Sequence, residues 1–241
     1  MEKKQIKLVA LDLDGTLTVH RSPLQEENRT ILDQLGMRYR LVMVGAGASE
    51  RIFRQMGEYP IDIIGNYGME ETHYDKVRKT IVSTHCVTVG WDKKSISERV
   101  TVLRNAYGFT KWTGDPVEFQ DSGMVCIPLL GTKAMISDKL AFDPDKKKRQ
   151  AALQKVRKLF PEYRVFVGGS SSFDMVPNPY GKYYALDQYC KEQGILHDEA
   201  VYFGDDVTKG GGDEELFQSD FPCVKVNGPD DFKKESAFLL L

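Results

Sequence analysis

The sequence predicts a parallel α/β sheet wrapped by helices and interrupted by a smaller α+β insert. Three observations carry this. Apolar, β-favouring runs alternate with helix-period stretches along the first part of the chain. Two apolar runs, one at each end of the sequence, stop abruptly in carboxylates, at Asp12 and at Asp205. From about 82 the rhythm changes to short strands and hairpin signals. The expected division is a first core part over 1–81, a cap-like insert over 82–177 and a second core part over 178–241.

Leu8-Val9-Ala10-Leu11-Asp12-Leu13-Asp14-Gly15-Thr16-Leu17-Thr18 reads as a buried strand whose C-terminal tip bears two carboxylates. Side chains at i and i+2 of an extended segment point the same way, so Asp12 and Asp14 are expected to share one site. Such a pair repels unless a cation neutralises it or one member keeps a proton. Beyond the loop His20-Arg21-Ser22-Pro23-Leu24, the spacing of Ile31, Leu32 and Leu35 predicts a helix over 26–35. Tyr39-Arg40-Leu41-Val42-Met43-Val44 is a second strand, running into Gly45-Ala46-Gly47-Ala48-Ser49. Those small residues, before a helix over 50–56, allow either tight packing or the approach of backbone N–H groups to an anion. A third strand over 61–64 completes the alternation that marks a parallel sheet, in which ligands bind beyond the carboxyl ends of the strands.

In the insert, 84–89 reads as a strand and 95–106 as a helix. Val117-Glu118-Phe119-Gln120 and Met124-Val125-Cys126-Ile127-Pro128 form a hairpin through Asp121-Ser122-Gly123. A lysine-rich amphipathic helix over 145–159 has its charges on a solvated face, and strands over 163–167 and 172–176 complete a small sheet. Pro177-Asn178-Pro179-Tyr180-Gly181 returns the chain to the core at Lys182, with a helix over 184–193. Val201-Tyr202-Phe203-Gly204-Asp205-Asp206 is the second carboxylate-tipped strand, followed by Gly210-Gly211-Gly212-Asp213. A short strand over 223–226 and a helix over 230–239 close the chain.

At 241 residues the chain can bury a sizeable core, and 41% hydrophobic with 28% charged residues describes an ordinary globular protein. A formal net charge of −2 lacks the basic footprint of a nucleic-acid binder, so a small anionic substrate needs local positive charge. Cys86, Cys126, Cys190 and Cys223 form no Cys-x-x-Cys pair and read as buried free thiols of a reducing compartment. The N-terminus leads straight into the first strand, and no apolar stretch is long enough for a signal peptide or membrane span. The expected location is cytoplasmic, with no membrane partner.

Asp12, Asp14 and Asp205, with Asp213 nearby, make an oxygen-rich anionic pocket of the kind Mg²⁺ prefers. Lys182 can offset the charge gathered on a phosphoryl group. In these residues the chain resembles the haloacid dehalogenase-like (HAD) phosphotransferases. Asp12-Leu13-Asp14-Gly15-Thr16 matches their first motif, Lys182 the third, and Gly204-Asp205-Asp206 with Asp213 the fourth. The resemblance implies a Rossmann-like parallel-sheet core with an inserted α+β cap, and Asp12 as the nucleophile that forms an aspartyl-phosphate. It implies Asp14 as general acid and base, work worth ~10²–10⁴-fold, and the main-chain carbonyl of Leu13 as a metal ligand.

Over most of its length the chain is similar to the eukaryotic-type phosphomannomutases. Arg21 follows the first motif as their substrate-facing arginine does, and Gly168-Gly169-Ser170-Ser171-Ser172-Phe173-Asp174-Met175-Val176-Pro177 matches their return from cap to core. The resemblance implies that Ser172 and Asp174 bind sugar hydroxyls. Two stretches depart. Gln120 and Cys126 stand where the mutase caps carry arginine and asparagine, and Gln cannot supply the charge of an Arg fork; Lys133 and Lys139 are the candidates to compensate. The mutases have Gly-Gly-Ser where this chain has Gly45-Ala46-Gly47, with Ser49 the nearest hydroxyl.

The expected activity is a Mg²⁺-dependent phosphatase of a small phosphorylated metabolite such as a sugar phosphate. A hexose-phosphate mutase is the alternative, and a homodimer through the cap is the expected assembly. A non-catalytic binding module is disfavoured, because binding alone requires neither a nucleophile nor its acid–base partner.

Overall fold

The structure is a computed structural model and describes residues 5–241. Met1-Glu2-Lys3-Lys4, on which the reading of the N-terminus partly rests, lie outside the described residues. The first stretch runs β1 (Leu8–Leu11), α1 (Glu26–Gly36), β2 (Arg40–Val44), α2 (Ser49–Gln55), β3 (Asp62–Gly65), β4 (Glu70–Asp75) and β5 (Thr80–Cys86). Next come α3 (Lys93–Tyr107), β6 (Glu118–Phe119), β7 (Val125–Pro128), α4 (Ile136–Phe142), α5 (Lys147–Leu159), β8 (Tyr163–Phe166) and β9 (Ser172–Pro177). The chain ends with α6 (Lys182–Gln193), β10 (Ala200–Gly204), α7 (Glu214–Phe217), β11 (Cys223–Lys225) and α8 (Phe232–Ser236).

Two compact units result. One comprises the chain up to Cys86 with Gly181–Thr208 and Asp213–Leu241; the other comprises Val87–Tyr180 with Lys209–Gly212. The first holds a seven-stranded sheet in the order β11-β10-β1-β2-β3-β4-β5, parallel from β11 to β3. β1 lies inside it because all four of its residues are apolar and can be buried on both faces. Val9, Leu11, Val201 and Phe203 pack with Ile31, Leu32, Ile52 and Phe232. Leu8, Ala10, Ala200 and Tyr202 pack with Ala185, Leu186 and Tyr189. The parallel register Leu11↔Phe203 brings the ends of β1 and β10 level, so the residues after each strand emerge side by side.

The β4–β5 hairpin changes the expected division. Its strands pair antiparallel with each other and with β3, so the segment expected to open the insert at 82 belongs to the large sheet through Cys86. β4 escapes the sequence pattern because Glu70, Glu71, His73 and Asp75 leave Thr72 as its one buried residue. The thiols also depart from expectation: all four are free, but only Cys190 is buried and Cys86 is exposed.

The second unit is a four-stranded antiparallel sheet, β6-β7-β9-β8. Val125, Ile127, Phe173 and Met175 turn one face onto α3 and α5. The alternate residues put Glu118, Cys126 and Asp174 opposite one another on the other face. Helix α5 is not solvated all round, because its Arg149 is fully buried with Ala152, Leu153 and Val156. No helix among the described residues is long and apolar enough to cross a membrane.

Candidate active site

Because β1 stops at Leu11, Asp12 is the first residue past the sheet, and its N–H still bonds the Phe203 carbonyl (2.9 Å). The chain then turns sharply. Gly15 has φ +98°, a region that disfavours side chains, and a Cβ there would overlap the Asp205 carboxylate. The Leu13 carbonyl accepts from the N–H groups of Thr16 (3.2 Å), Leu17 (2.9 Å) and Thr18 (3.0 Å). It is therefore turned into the loop rather than toward a metal, contrary to what the resemblance implies.

Lys182, the first residue of α6, reaches the same point from the second core segment. Its Nζ donates to Asp12 Oδ1 (2.6 Å), to Asp213 Oδ1 (2.7 Å) and to the Tyr202 hydroxyl (3.3 Å). Tyr202 in turn donates to Asp213 Oδ1 (2.6 Å), and the Asp206 N–H donates to Asp213 Oδ2 (2.9 Å). Gly204 permits this approach, since a Cβ there would stand 2.5 Å from Asp213 Oδ2. Thr16 Oγ1 links Asp205 Oδ1 (3.3 Å) to Asp12 Oδ2 (3.5 Å).

The electrostatics follow from burial. Desolvation lifts the Asp12 carboxyl well above the usual range, with Lys182 opposing and the anions of Asp213 and Asp205 adding to the rise. Burial also acts to lift Asp213, but the ammonium and hydrogen bonds of Lys182 outweigh it and hold the carboxyl low. Burial opposes the charge on Lys182; Asp12 and Asp213 overcome it and hold the ammonium protonated. Asp12, Asp205 and Asp213 each offer one carboxylate oxygen, all within 4.8 Å of one another. An all-oxygen donor set of this size fits a hard divalent cation such as Mg²⁺.

Asp14 does not join them. Past the end of β1 the two-residue repeat no longer holds, and its carboxylate turns to a separate set of donors. Oδ1 accepts from the Arg21 N–H (2.7 Å) and Gln55 Nε2 (2.7 Å), and Oδ2 from Arg51 Nη1 (3.2 Å). Burial would raise its pKa, but these bonds and the Arg51 charge win, and the carboxyl is held below its ordinary value. Arg51 and Gln55 lie at i and i+4, one turn apart on α2, a spacing visible in the sequence once Asp14 is known to face that helix. Thr16 stands in the first motif, but nothing in the sequence marks Tyr202.

Other expected residues are placed differently. Ser49 is buried, its N–H donates to Glu70 Oε2 (2.8 Å), and its hydroxyl lies against Gly65, so it is turned toward the segment after β3. The Gly45 N–H donates to Ile64 O (2.8 Å) and the Gly47 carbonyl accepts from Asn66 N (2.8 Å), which ties the turn, with Ala46 between them, to β3. The Arg21 side chain is exposed. In the second unit, Ser172 Oγ donates to Asp174 Oδ1 (3.2 Å), and both lie on the face of the sheet opposite α3 and α5, where Cys126 pairs with Asp174, which is buried. Gln120 closes the β6–β7 turn through its backbone, N–H to Met124 O (2.9 Å). Lys133 is exposed, and Lys139 Nζ donates to the Thr132 carbonyl (3.1 Å).

The family model of the eukaryotic phosphomannomutases matches residues 29–240. The chain is 28% identical to the phosphomannomutase of Saccharomyces cerevisiae over 243 residues, covering 97% of this chain and 94% of that one. It is 24% identical to human phosphomannomutase 1 over 230 residues, covering 89% and 84%. Solved structures share its fold. An IMP-nucleotidase of Plasmodium falciparum superposes with TM-score 0.69 at 12% identity, covering 98% of this chain and 68% of that one. A haloacid dehalogenase-like hydrolase of Bacteroides thetaiotaomicron superposes with TM-score 0.55 at 15% identity, covering 97% and 98%.

Proposed function

The chain belongs to the eukaryotic phosphomannomutase family, and from that premise we propose that it interconverts hexose 1-phosphates and 6-phosphates through an aspartyl-phosphate on Asp12. The observation that carries the reading is the family match through both units, 29–240, in a chain that keeps Asp12, Asp14, Lys182, Asp205 and Asp213. The sequence-based expectation put hydrolysis first; the family match supports the mutase better.

In the proposed cycle Asp12 carries a phosphoryl group, and a hydroxyl of the bound hexose phosphate attacks it. The bond from phosphorus to the new hydroxyl oxygen forms, the bond to Asp12 breaks, and Asp14 takes the hydroxyl proton. After the bisphosphate reorients, Asp12 attacks the other phosphoryl group and Asp14 returns the proton to the departing oxygen. With three donors on it, Asp14 is unprotonated in the resting geometry, the state needed to accept a proton first. A hydrolytic cycle starts instead with proton donation and needs Asp14 loaded from solvent. Asp12, Asp205 and Asp213 would hold Mg²⁺, which would supply charge neutralisation for the phosphoryl group.

Hydrolysis remains a second reading, favoured by Gln120, which stands where the mutase resemblance has an arginine and leaves a distal phosphate less well held. The test is mannose 1-phosphate with Mg²⁺ and a trace of hexose 1,6-bisphosphate, following 6-phosphate and free phosphate together. Isomerisation outpacing phosphate release is expected; the reverse ratio makes this chain a phosphatase.

A further inference from the structure

Lys182 has three N–H donors, and all three are engaged, by Asp12, Asp213 and Tyr202. In this geometry none is left for the three equatorial oxygens of a phosphoryl group. Four carboxylates, Asp12, Asp14, Asp205 and Asp213, stand around the end of β1; the basic side chains against them include Lys182 and Arg51, with His20 Nδ1 4.0 Å from Asp14 Oδ1. Beside a divalent cation on Asp12, Asp205 and Asp213, a dianionic group entering this site still needs hydrogen-bond donors for its remaining oxygens, and Arg51 has donors to spare.

Arg51 spends Nη1 on Asp14 Oδ2 (3.2 Å) and Gln55 Oε1 (2.6 Å). Its Nε and Nη2, the guanidinium edge that binds two oxygens at once, make no hydrogen bond among the described residues. Gly47 gives that edge its room: a Cβ at this position would overlap both nitrogens. The side chain is 38% exposed, so Arg51 is not sealed inside the protein. Gly47 leads into α2 from the end of β2, the strand beside β1, where a parallel sheet offers its ligand site.

We propose that Arg51 is a phosphoryl-binding residue whose guanidinium transfers its charge from Asp14 to the equatorial oxygens of the entering group. Asp14 Oδ2 is thereby released for the reacting hydroxyl, while Gln55 and the Arg21 N–H keep Oδ1 in place. This rests on the reading of Asp12 as the phosphoryl acceptor. Binding of inorganic phosphate to the Mg²⁺-loaded protein, measured by calorimetry, tests Arg51 without turnover, so its failure is separate from failure of the mutase assay. Arg51→Gln is expected to weaken phosphate about tenfold or more, the worth of a charge-assisted hydrogen bond. In turnover it should raise KM with every phosphate ester, and lower kcat mainly with alkyl esters, whose leaving group needs the Asp14 proton. Phosphate affinity equal to wild type in folded Arg51→Gln overturns the proposal. Should that variant melt far below wild type, Arg51→Lys decides: its point charge cannot reproduce the fork, so affinity should fall several-fold, and an unchanged affinity refutes the assignment.

Discussion

Asp12 sits among anions, and what keeps it usable is the single ammonium it shares with Asp213. That ammonium is aimed by Tyr202, whose hydroxyl bridges Lys182 and Asp213. Tyr202→Phe removes one oxygen from a fully buried cluster. It should lower stability by about 1.5–3 kcal/mol, the value of a hydrogen bond to a charged group, and reduce kcat with little change in KM. Thermal unfolding beside steady-state kinetics checks this; a variant with wild-type kcat shows that Lys182 is oriented without it. Asp12, Lys182 and Asp205 were legible in the sequence because each stands at a strand end or a loop-to-helix junction among apolar neighbours. Tyr202 was not, because it reads as one more apolar residue of β10, and its partner Asp213 becomes a neighbour only once the 205–213 loop has folded.

At the scale of elements, the second unit depends on a charge inside it. Arg149 Nε donates to Asp143 Oδ2 (2.9 Å), and Nη1 donates to the carbonyls of Gly168 (2.7 Å), Gly169 (3.0 Å) and Ser172 (3.3 Å). One residue thus fixes the turn that delivers Ser172 and Asp174 into β9. The helix reads as lysine-rich and solvated, yet Arg149 precedes Ala152, Leu153 and Val156 by three, four and seven, the spacing of the buried stripe. A basic residue on that stripe is the sign a periodicity count can find; the Asp143 partner, outside the helix, is not. Arg149→Met leaves Asp143 buried and unpaired and should cost about 3–5 kcal/mol. Burial would raise the Asp143 carboxyl, but its hydrogen bonds from Arg149 and Lys148 hold it below its ordinary value. A carboxyl depressed in the folded state stabilises fully above its unfolded pKa, about 3.9, and loses that contribution as pH falls through the folded value. Acid unfolding should therefore steepen below about pH 4, and Asp143→Asn should flatten that dependence in circular-dichroism titrations. An unchanged slope shows that the acid lability lies elsewhere.

For the whole molecule, the alternation of strand and helix and the two carboxylate-tipped strands were enough to read the parallel sheet, because burial on both faces demands unbroken apolar runs. The β4–β5 hairpin lay beyond that rule, its strands being polar and largely uncovered. Chemistry at the sheet end requires a hard cation in the proposed account. EDTA should silence turnover, Mg²⁺ should restore it, and Ca²⁺, with its larger and looser shell, should support little; full activity after thorough chelation removes the metal from the account. In the proposed cycle the phosphoryl group passes through Asp12 on its way between two hydroxyls. Rapid acid quench with radiolabelled mannose 1-phosphate, followed by peptide mapping, examines it directly. Label is expected on the peptide containing Asp12 and in the 6-phosphate, both lost in a folded Asp12→Asn variant. Isomerisation that persists in Asp12→Asn, or label that reaches product without ever residing on that peptide, would contradict it.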